Sequence, residues 1–170
     1  MPLITDVTTR IIAKYTTTKD LGNIPTSNLD FSQKVQLTSG TAAGQADKLW
    51  YDERTLTASS TEDLDLNGTQ TDDFGVTFSI ARIKTLFIKA AAANTNNVVV
   101  GASATNQWAA LLGTTGTITL RPGAHFMMCA GVADSTGYVC AAGSTDLLKV
   151  ANSAGVSSVT YEIVVVACSV

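Results

Sequence analysis

His125 is the only histidine in the chain, so any chemistry that uses an imidazole base or ligand would have to use it. It follows a Pro-Gly turn at the start of an apolar segment. Nucleophilic catalysis would need a serine or cysteine beside the ring and a carboxylate behind it, and no motif such as G-x-S-x-G supplies them. We interpret His125 as a strand-end histidine that hydrogen-bonds to backbone, and we predict no catalytic residue and no enzymatic activity.

A group of acidic residues could offer oxygen ligands to a hard cation such as calcium. Its spacing fits neither an EF-hand nor an RTX loop, although Asp63 and Asp65 share one face of a predicted strand and could form a weak interfacial cation site. We favour a solvated strand edge whose charges hinder unwanted strand pairing, and we predict no metal site. The acidic residues of this group are Glu62, Asp63, Asp65, Asp72 and Asp73.

Neither the glycine-rich segment nor the cysteines indicate a cofactor. Residues 40–44 (GTAAG) look superficially like a phosphate loop, but no Lys-Ser/Thr pair follows and no strand-loop-helix unit frames them. Cys129, Cys140 and Cys168 are odd in number, far apart and set among apolar residues. We predict buried free thiols, in agreement with synthesis in a reducing compartment, while a bridge between Cys129 and Cys140 stays an alternative.

Four aromatic side chains could stack on sugars, as aromatic residues do in glycan-binding sandwiches. They are dispersed along the chain, which favours positions in the core or at an interface. These residues are Trp50, Tyr51, Trp108 and Tyr138.

The elements that must position these residues are β-strands. From residue 48 onward, short strand patterns alternate with turn signals such as Asn67-Gly68 and Pro122-Gly123. About eight strands at a spacing of roughly 8 to 12 residues predict an all-β body over residues 45–170, an antiparallel jelly-roll-like sandwich. The predicted strands are 49–56, 62–66, 80–90, 98–100, 117–121, 125–129, 138–141, 145–152 and 159–167. A helix is an alternative for 80–90, and 108–112 is ambiguous.

Residues 1–44 are predicted to form an N-terminal extended arm with short strands at 10–15 and 31–38, joined by a turn-rich connector. The second strand places Phe31, Val35 and Leu37 on one face with Gln33, which indicates a half-buried strand. The small residues of 38–45 predict a hinge between arm and body. The arm would reach over a neighbouring subunit or another protein surface through apolar anchors. These anchors are Ile11, Tyr15, Phe31, Val35 and Leu37.

The last predicted strand has one uniformly apolar face, and its other face changes from polar at Thr160 and Glu162 to apolar at Val164 and Val166. A lone sandwich would expose that second face to solvent. We therefore predict that Val164 and Val166 are covered by a sheet or by a neighbouring subunit.

Charge and composition indicate assembly. Charged residues make up 15% of the chain and the mean hydropathy is +0.21, a low charge for a soluble monomer. The net charge of −3 and the scattered basic residues predict no binding of nucleic acid. No apolar run approaches the roughly 20 residues of a membrane span, and no export signal is recognised at the N-terminus. We expect no membrane partner and a homo-oligomer.

Several motifs resemble, in order and spacing, a family of small structural proteins of tailed bacteriophages. The likeness is strongest from residue 45 onward. The motifs are QADKLWYDERTLTASSTEDLDLNG (45–68), Phe74-Gly75 leading into ARIK (81–84), NTNNVVVG (94–101), Arg121-Pro122-Gly123, and 146–152 ahead of 159–167. The resemblance implies a virion component, a jelly-roll minor capsid, decoration or cement protein that sits on the shell as a trimer. It implies no residue with a chemical role.

The sequence therefore predicts a homotrimeric decoration protein that binds the major capsid protein on the outside of a phage head and stabilises it. Many repeated copies would convert weak contacts into high avidity. The protein would be made in the bacterial cytoplasm and end on the virion surface. One alternative is a tail, baseplate or head-fibre protein that binds a host receptor or glycan; another is a cell-wall depolymerase, which would need paired carboxylates in a groove.

Overall fold

The computed structural model describes residues 2–170, which form 12 β-strands and one short 3-10 turn and contain no α-helix. Helices long and apolar enough to cross a membrane are therefore also missing from this part of the chain. The strands are β1 (Thr5–Thr16), β2 (Thr26–Ser39), β3 (Gln45–Ala46), β4 (Lys48–Leu56), β5 (Thr61–Asp65), β6 (Arg82–Ala90), β7 (Val98–Gly101), β8 (Thr117–Leu120), β9 (His125–Cys129), β10 (Tyr138–Val139), β11 (Leu147–Asn152) and β12 (Val159–Cys168).

The body consists of two antiparallel sheets. One has the order β4-β12-β6, with β9 and the two-residue β10 both paired to the far side of β6, and the other has the order β5-β11-β7-β8. Pairing is nested, because β4 pairs with β12, β5 with β11, β6 with β9 and β7 with β8. The predicted all-β antiparallel sandwich is confirmed. Residues 80–90 form a strand rather than a helix, and 108–112 lies in turn structure.

The core lies between the two sheets and follows from period-two alternation along each strand. The central strand β12 buries Tyr161, Ile163 and Val165 completely, and they meet inward residues of β6 such as Leu86 and Ile88. The opposite sheet contributes buried residues of β7 and β11 to the same cluster. Removal of this apolar surface from water is the main stabilising term of the sandwich.

A β-bulge in β6 changes the predicted alternation at one end of the core. Val166 pairs with Thr85 but Ala167 pairs with Ile83, so Lys84 is the extra residue without a partner on β12. The sequence pattern places Ile83 on the face of Thr85 and Phe87, yet Ile83 is fully buried. The bulge explains the difference, because one inserted residue reverses the alternation of faces between Thr85 on one side of it and Ile83 on the other.

The N-terminal region forms one long hairpin in place of two short strands. Strands β1 and β2 pair without interruption from Thr5 with Leu37 to Thr16 with Thr26. The connection contains the 3-10 turn Asp20–Gly22, in which Leu21 adopts a left-handed φ of 66°. Every residue between 8 and 34 is exposed except Pro25, which is half-buried, so the hairpin stands away from the sandwich.

The segment predicted as a hinge is a turn closed by hydrogen bonds. Thr38 N donates to Gly44 O (3.0 Å), and Ala42 N donates to the Oε1 atom of Gln45 (3.0 Å). Arg82 reaches from the body and donates to Thr41 O. The hairpin is thus fixed to the sandwich at its root, while the domain boundary at residue 44 and a hinge motion stay predictions.

Candidate interaction surface

His125 lies exposed at the first position of β9, and its ring centroid is 5.7 Å from that of Phe87. In the sheet register it stands opposite Lys89, which forms an ion pair with Glu162 (3.1 Å). The same strand contains a nucleophile, Cys129, but this residue lies at the other end of β9. This arrangement does not join a nucleophile, a base and an orienting carboxylate, and the prediction of no enzymatic activity stays a prediction.

The acidic residues have local structural partners. Asp65 accepts a hydrogen bond from Asn67 N (2.8 Å), and Asp72 accepts bonds from Phe74 N and Val76 N (3.0 and 2.9 Å). Asp73 accepts a hydrogen bond from the Tyr51 hydroxyl, which raises the pKa of that phenol. Within residues 2–170, no group of three His, Cys, Asp or Glu side chains is placed to hold a metal ion.

Glu62 belongs to a partly buried network that joins the two sheets. Its carboxylate accepts bonds from Arg54 Nε (2.8 Å) on β4 and from the Tyr161 hydroxyl (2.7 Å) on β12. Burial, followed by the bond to Glu62, raises the pKa of Tyr161, and the bond to Glu62 raises the pKa of Arg54. The phenol stays protonated and the guanidinium charged, as a structural clamp requires.

All three cysteines are free, and they differ in accessibility. Cys140 and Cys168 are buried, which agrees with the prediction, while Cys129 is only half-buried. Burial, with a smaller effect of Asp146 and Asp65, raises the pKa of Cys140 to about 12. Because thiolate is the reactive form, Cys140 is inert near neutral pH, and Cys129 is the accessible thiol.

The aromatic residues lie mainly in the core. Trp50 is 4% exposed and packs near Phe78 with the two rings tilted at a centroid distance of 6.1 Å. Trp108 is 2% exposed and donates its indole hydrogen to Val139 O (3.0 Å), with Tyr138 beside it at 6.5 Å. Neither tryptophan offers a free ring face to a sugar. Tyr51 is the exposed member of the four aromatic residues considered for stacking.

The hairpin has two chemically different faces. Residues that pair across β1 and β2 share a face, so Ile11 with Phe31 and Ala13 with Leu29 lie on one side. The opposite side carries the ion pairs Arg10–Asp30 (2.7 Å) and Lys34–Asp6 (3.2 Å). We call the first side the apolar face of the hairpin; its apolar members are Val7, Ile11, Ala13, Tyr15, Leu29, Phe31, Val35 and Leu37.

The apolar face is covered only at the root of the hairpin. Leu37 is 1% exposed and forms a small core cluster with Ala46 and Val166, against which Val35 and Leu3 pack. Farther out, Ile11 and Phe31 are 53% and 52% exposed. An isolated two-stranded hairpin is at best marginally stable in water, so the outer part of this face lacks the second layer that a stable sheet has.

The outer face of the β4–β12–β6–β9 sheet carries an apolar row next to that root. Register places Tyr51, Val164, Phe87 and Met127 side by side across the four strands. We call these four residues the outer apolar row. The next row toward the root contains Leu49, Val166, Thr85 and Cys129, and the row on the other side is polar and contains Glu53, Glu162, Lys89 and His125.

A groove of about 400 Å³ continues the apolar row beyond the β4 edge. Leu3, Leu49, Tyr51, Phe74 and Val76 supply its apolar lining, and Phe74 and Val76 are themselves exposed. The polar part of the lining contains Asp47, Asp72, Asp73 and Lys48, so the groove has a net negative charge.

The predicted contact residues divide into two groups. Ile11, Tyr15 and Phe31 are exposed on the hairpin, whereas Val35, Leu37 and Val166 pack against one another in the same chain. Val166 is thus covered by the chain's own β2 and β3, and Val164 is half-buried in the outer apolar row. Leu29, Phe87 and Met127 were not among the contact residues predicted from the sequence. Strand register was the missing signal, because only pairing places these residues beside Phe31 and Val164.

Comparisons with models of known protein families, with curated proteins and with solved structures found no match to this chain.

Proposed function

We propose that this chain is a structural protein of a tailed-bacteriophage virion, a decoration or cement protein that binds the outside of an assembled capsid as a homotrimer and stabilises it. The observation that carries the proposal is the exposed apolar face of the hairpin. A sandwich with an exposed amphipathic ribbon has a means of attachment, and within residues 2–170 the candidate reactive groups lie apart, which suits a function that consists of binding.

The nested strand pairing supports the finer interpretation of the body as a jelly roll. When the two-residue strands β3 and β10 are left out, the body has eight strands, and they pair first with last, second with seventh, third with sixth and fourth with fifth. Such a chain forms a long hairpin wrapped into two sheets, which is the double Greek-key arrangement of jelly rolls. Fold alone does not define function, since jelly rolls serve in many roles. The exposed hairpin, rather than the sandwich, therefore carries the argument for assembly.

Repetition on a lattice would compensate for the small area of each contact. The exposed part of the hairpin presents only a few large apolar side chains, among them Ile11, Tyr15 and Phe31. Many such contacts, made by a homotrimer on a shell that repeats the same site, act together and raise the overall avidity by orders of magnitude. The low share of charged residues, 15%, is consistent with surface that is covered in the assembled particle.

The test is co-sedimentation of the purified full chain with expanded capsids that lack a decoration protein. We expect saturable binding at a fixed ratio to the major capsid protein, and a higher temperature of shell disruption for the decorated particles. Absence of co-sedimentation would contradict the proposal.

The same preparations test the alternative in which the chain binds a receptor or glycan. Binding to host cells or to their surface glycans without binding to capsids would favour a tail or head-fibre role. Because Trp50 and Trp108 are buried, Tyr51→Ala is the informative variant for that alternative, with Thr55→Ala, another exposed outward residue of β4, as its control.

A further inference from the structure

We propose that the apolar face of the hairpin in one copy of this chain packs across the outer apolar row of the β4–β12–β6–β9 sheet in a second copy. This inference rests on the proposed function, because it names the contact through which the homo-oligomer would form.

The root of the hairpin shows what its apolar face packs on. Leu37 lies against Val166, which belongs to the outer face of β12, and this contact is fully buried. The exposed members Ile11 and Phe31 continue the same face away from that contact. On the sheet, Val164 lies one row beyond Val166 on the same outer face. The hairpin and the sheet therefore each continue an apolar contact that the chain already makes within itself.

The two surfaces have similar lengths. The outer apolar row crosses four strands, which spans about 14 Å at the usual strand spacing. The hairpin from Ile11 to Tyr15 covers four residue steps, or about 13 Å. The groove beside Tyr51 adds room at the β4 end for a large side chain such as Phe31.

The hairpin cannot occupy the outer apolar row of its own chain. Beyond Val7 and Val35 both strands are exposed on all sides, so the ribbon leads away from its own sheet. Tyr51 is 51% exposed, and Val164, Phe87 and Met127 are only half-buried. The row is consequently open to the hairpin of another molecule.

Charge favours a second copy as the occupant. Residues 1–39 contain four basic and three acidic residues, whereas residues 40–170 contain seven basic and eleven acidic residues. A weakly basic hairpin thus meets an acidic body, and Asp47, Asp72 and Asp73 lie at the groove that ends the row. The charged residues of the hairpin strands lie on its polar face, so this difference in charge acts on the encounter of hairpin and body and not across the apolar contact itself.

The small area of one contact indicates that each copy takes part in two such contacts. The nine exposed residue pairs of the two-stranded ribbon offer at most a flat area on the order of 300 Å², well below the roughly 800 Å² that each partner contributes to a stable interface. A hairpin on a sheet is a head-to-tail contact, and in a closed ring each copy both gives a hairpin and receives one. Closure doubles the buried area for each copy, in a reciprocal dimer as in a ring of three, so the contact is compatible with the proposed homotrimer and disfavours a pair joined once.

The experiment measures self-association of the full chain by light scattering and sedimentation, with two variants and two matched controls. Ile11→Lys places a charge on the apolar face, and Ile12→Lys places the same charge on the polar face, opposite Asp30. Met127→Lys alters the outer apolar row, and His125→Lys alters the polar row two residues away on β9. We expect Ile11→Lys and Met127→Lys each to weaken association about tenfold or more and both controls to behave as wild type.

Labelling of Cys129 provides an independent readout, because this half-buried thiol lies in the row beside the outer apolar row. Assembled wild type and Ile12→Lys should protect Cys129, whereas Ile11→Lys should label it faster. Cys140 and Cys168 report folding, because they react only when the sandwich opens. If the buried cysteines of Ile11→Lys react without denaturant, that variant has unfolded, and Phe31→Lys then replaces it.

Three results would overturn the inference: a monomeric wild type, association of Ile11→Lys equal to that of Ile12→Lys, or loss of association in Ile11→Lys with none in Met127→Lys. The last result would mean that hairpins pair with one another. A monomer that still co-sediments with capsids would overturn this inference together with the homotrimer, and would leave only the capsid binding of the proposed function in place. An oligomer that shows the expected variant pattern but does not bind capsids would support this inference and contradict the proposed function.

Discussion

The hairpin and the sandwich are built from the same kind of strand and differ in what covers their apolar faces. In β12, the alternation of Tyr161, Ile163 and Val165 with outward residues gives a face that a second sheet covers completely. In the hairpin, the same alternation gives the pair Ile11 and Phe31, over which no other part of residues 2–170 lies. Alternation with a period of two thus specifies a strand and its two faces, but it does not specify what covers the apolar face. In the hairpin, no second layer from residues 2–170 of its own chain covers the outer part of that face.

The largest expected contrast is between one core residue and one hairpin residue. Ile163→Ala removes a completely buried side chain from the central strand and should lower the free energy of unfolding by about 3 kcal/mol. Phe31→Ala truncates a larger side chain that is half exposed and should change it by less than about 0.5 kcal/mol. Urea unfolding followed by tryptophan fluorescence measures both, at a protein concentration low enough for the chain to be monomeric. Equal losses would mean that the hairpin packs on the body in solution, which would break the comparison.

A second contrast concerns polar groups. Asn152 is 5% exposed; its amide donates to Thr57 O (3.0 Å) and Ser157 O (2.7 Å), and its oxygen accepts from Asn96 (3.0 Å). Asn152→Ala leaves these buried partners unsatisfied and should lower the free energy of unfolding by about 2 kcal/mol.

Asn28→Ala is the matched change, because Asn28 lies exposed on the polar face of the hairpin. The same unfolding experiment should detect no change for it. If Asn152→Ala were as mild as Asn28→Ala, the loops that Asn152 joins would have to be held by other contacts, and the body would be less dependent on its polar network than its burial indicates.

Turn dipeptides and alternation in the sequence were sufficient to predict most of the body. Strand β9 has the predicted bounds, and β4 and β12 differ from prediction by one residue at a single end. These strands combine clear alternation with turn signals such as Pro122-Gly123. Segment 108–112 could not be assigned because it follows no period; Trp108 is buried there through tertiary packing.

The surface could be predicted only in part, because its residues meet across long separations. The anchors Ile11 and Phe31 follow from local pattern, but the cover of Val166 by Leu37 joins residues that are far apart in sequence. The bulge at Lys84 depends on pairing with β12 and leaves no local signal. The hairpin likewise required the register between β1 and β2, which the connector does not specify.

A third prediction compares the buried Lys84 of this bulge with the exposed Lys34 of the hairpin. Lys84 is 1% exposed, and its ammonium donates to Asp134 O (2.7 Å). Lys84→Met keeps a buried aliphatic side chain and removes the hydrogen bond to Asp134 O. It should therefore loosen the loop that follows β9 and lower the free energy of unfolding by about 1 kcal/mol. Amide hydrogen exchange at Thr136 and Gly137, both bound to the Asp134 carboxylate, should accelerate.

Lys34→Met is the control for this change, because Lys34 is an exposed lysine that pairs with Asp6 on the hairpin. It should leave exchange in the body unchanged. Unaltered exchange at Thr136 and Gly137 in Lys84→Met would show that the Asp134 turn alone holds the loop.

The smallest effect is expected at the exposed ion pair between Arg10 and Asp30. The hydrogen bonds from Arg10 lower the pKa of Asp30. The ion pair therefore stabilises the hairpin fully at pH values above the ordinary carboxyl pKa of 3.8, and this stabilisation is lost as pH falls through the lowered pKa. Both side chains are exposed, and such pairs are screened by water and salt. Arg10→Ala, or acidification below that pKa, should therefore weaken cross-strand nuclear Overhauser effects in the hairpin. At neutral pH, the unfolding midpoint of Arg10→Ala should equal that of wild type. A shift of that midpoint would mean that the hairpin and the sandwich unfold as one unit, and the exposed face of the hairpin would then have a partner in its own chain.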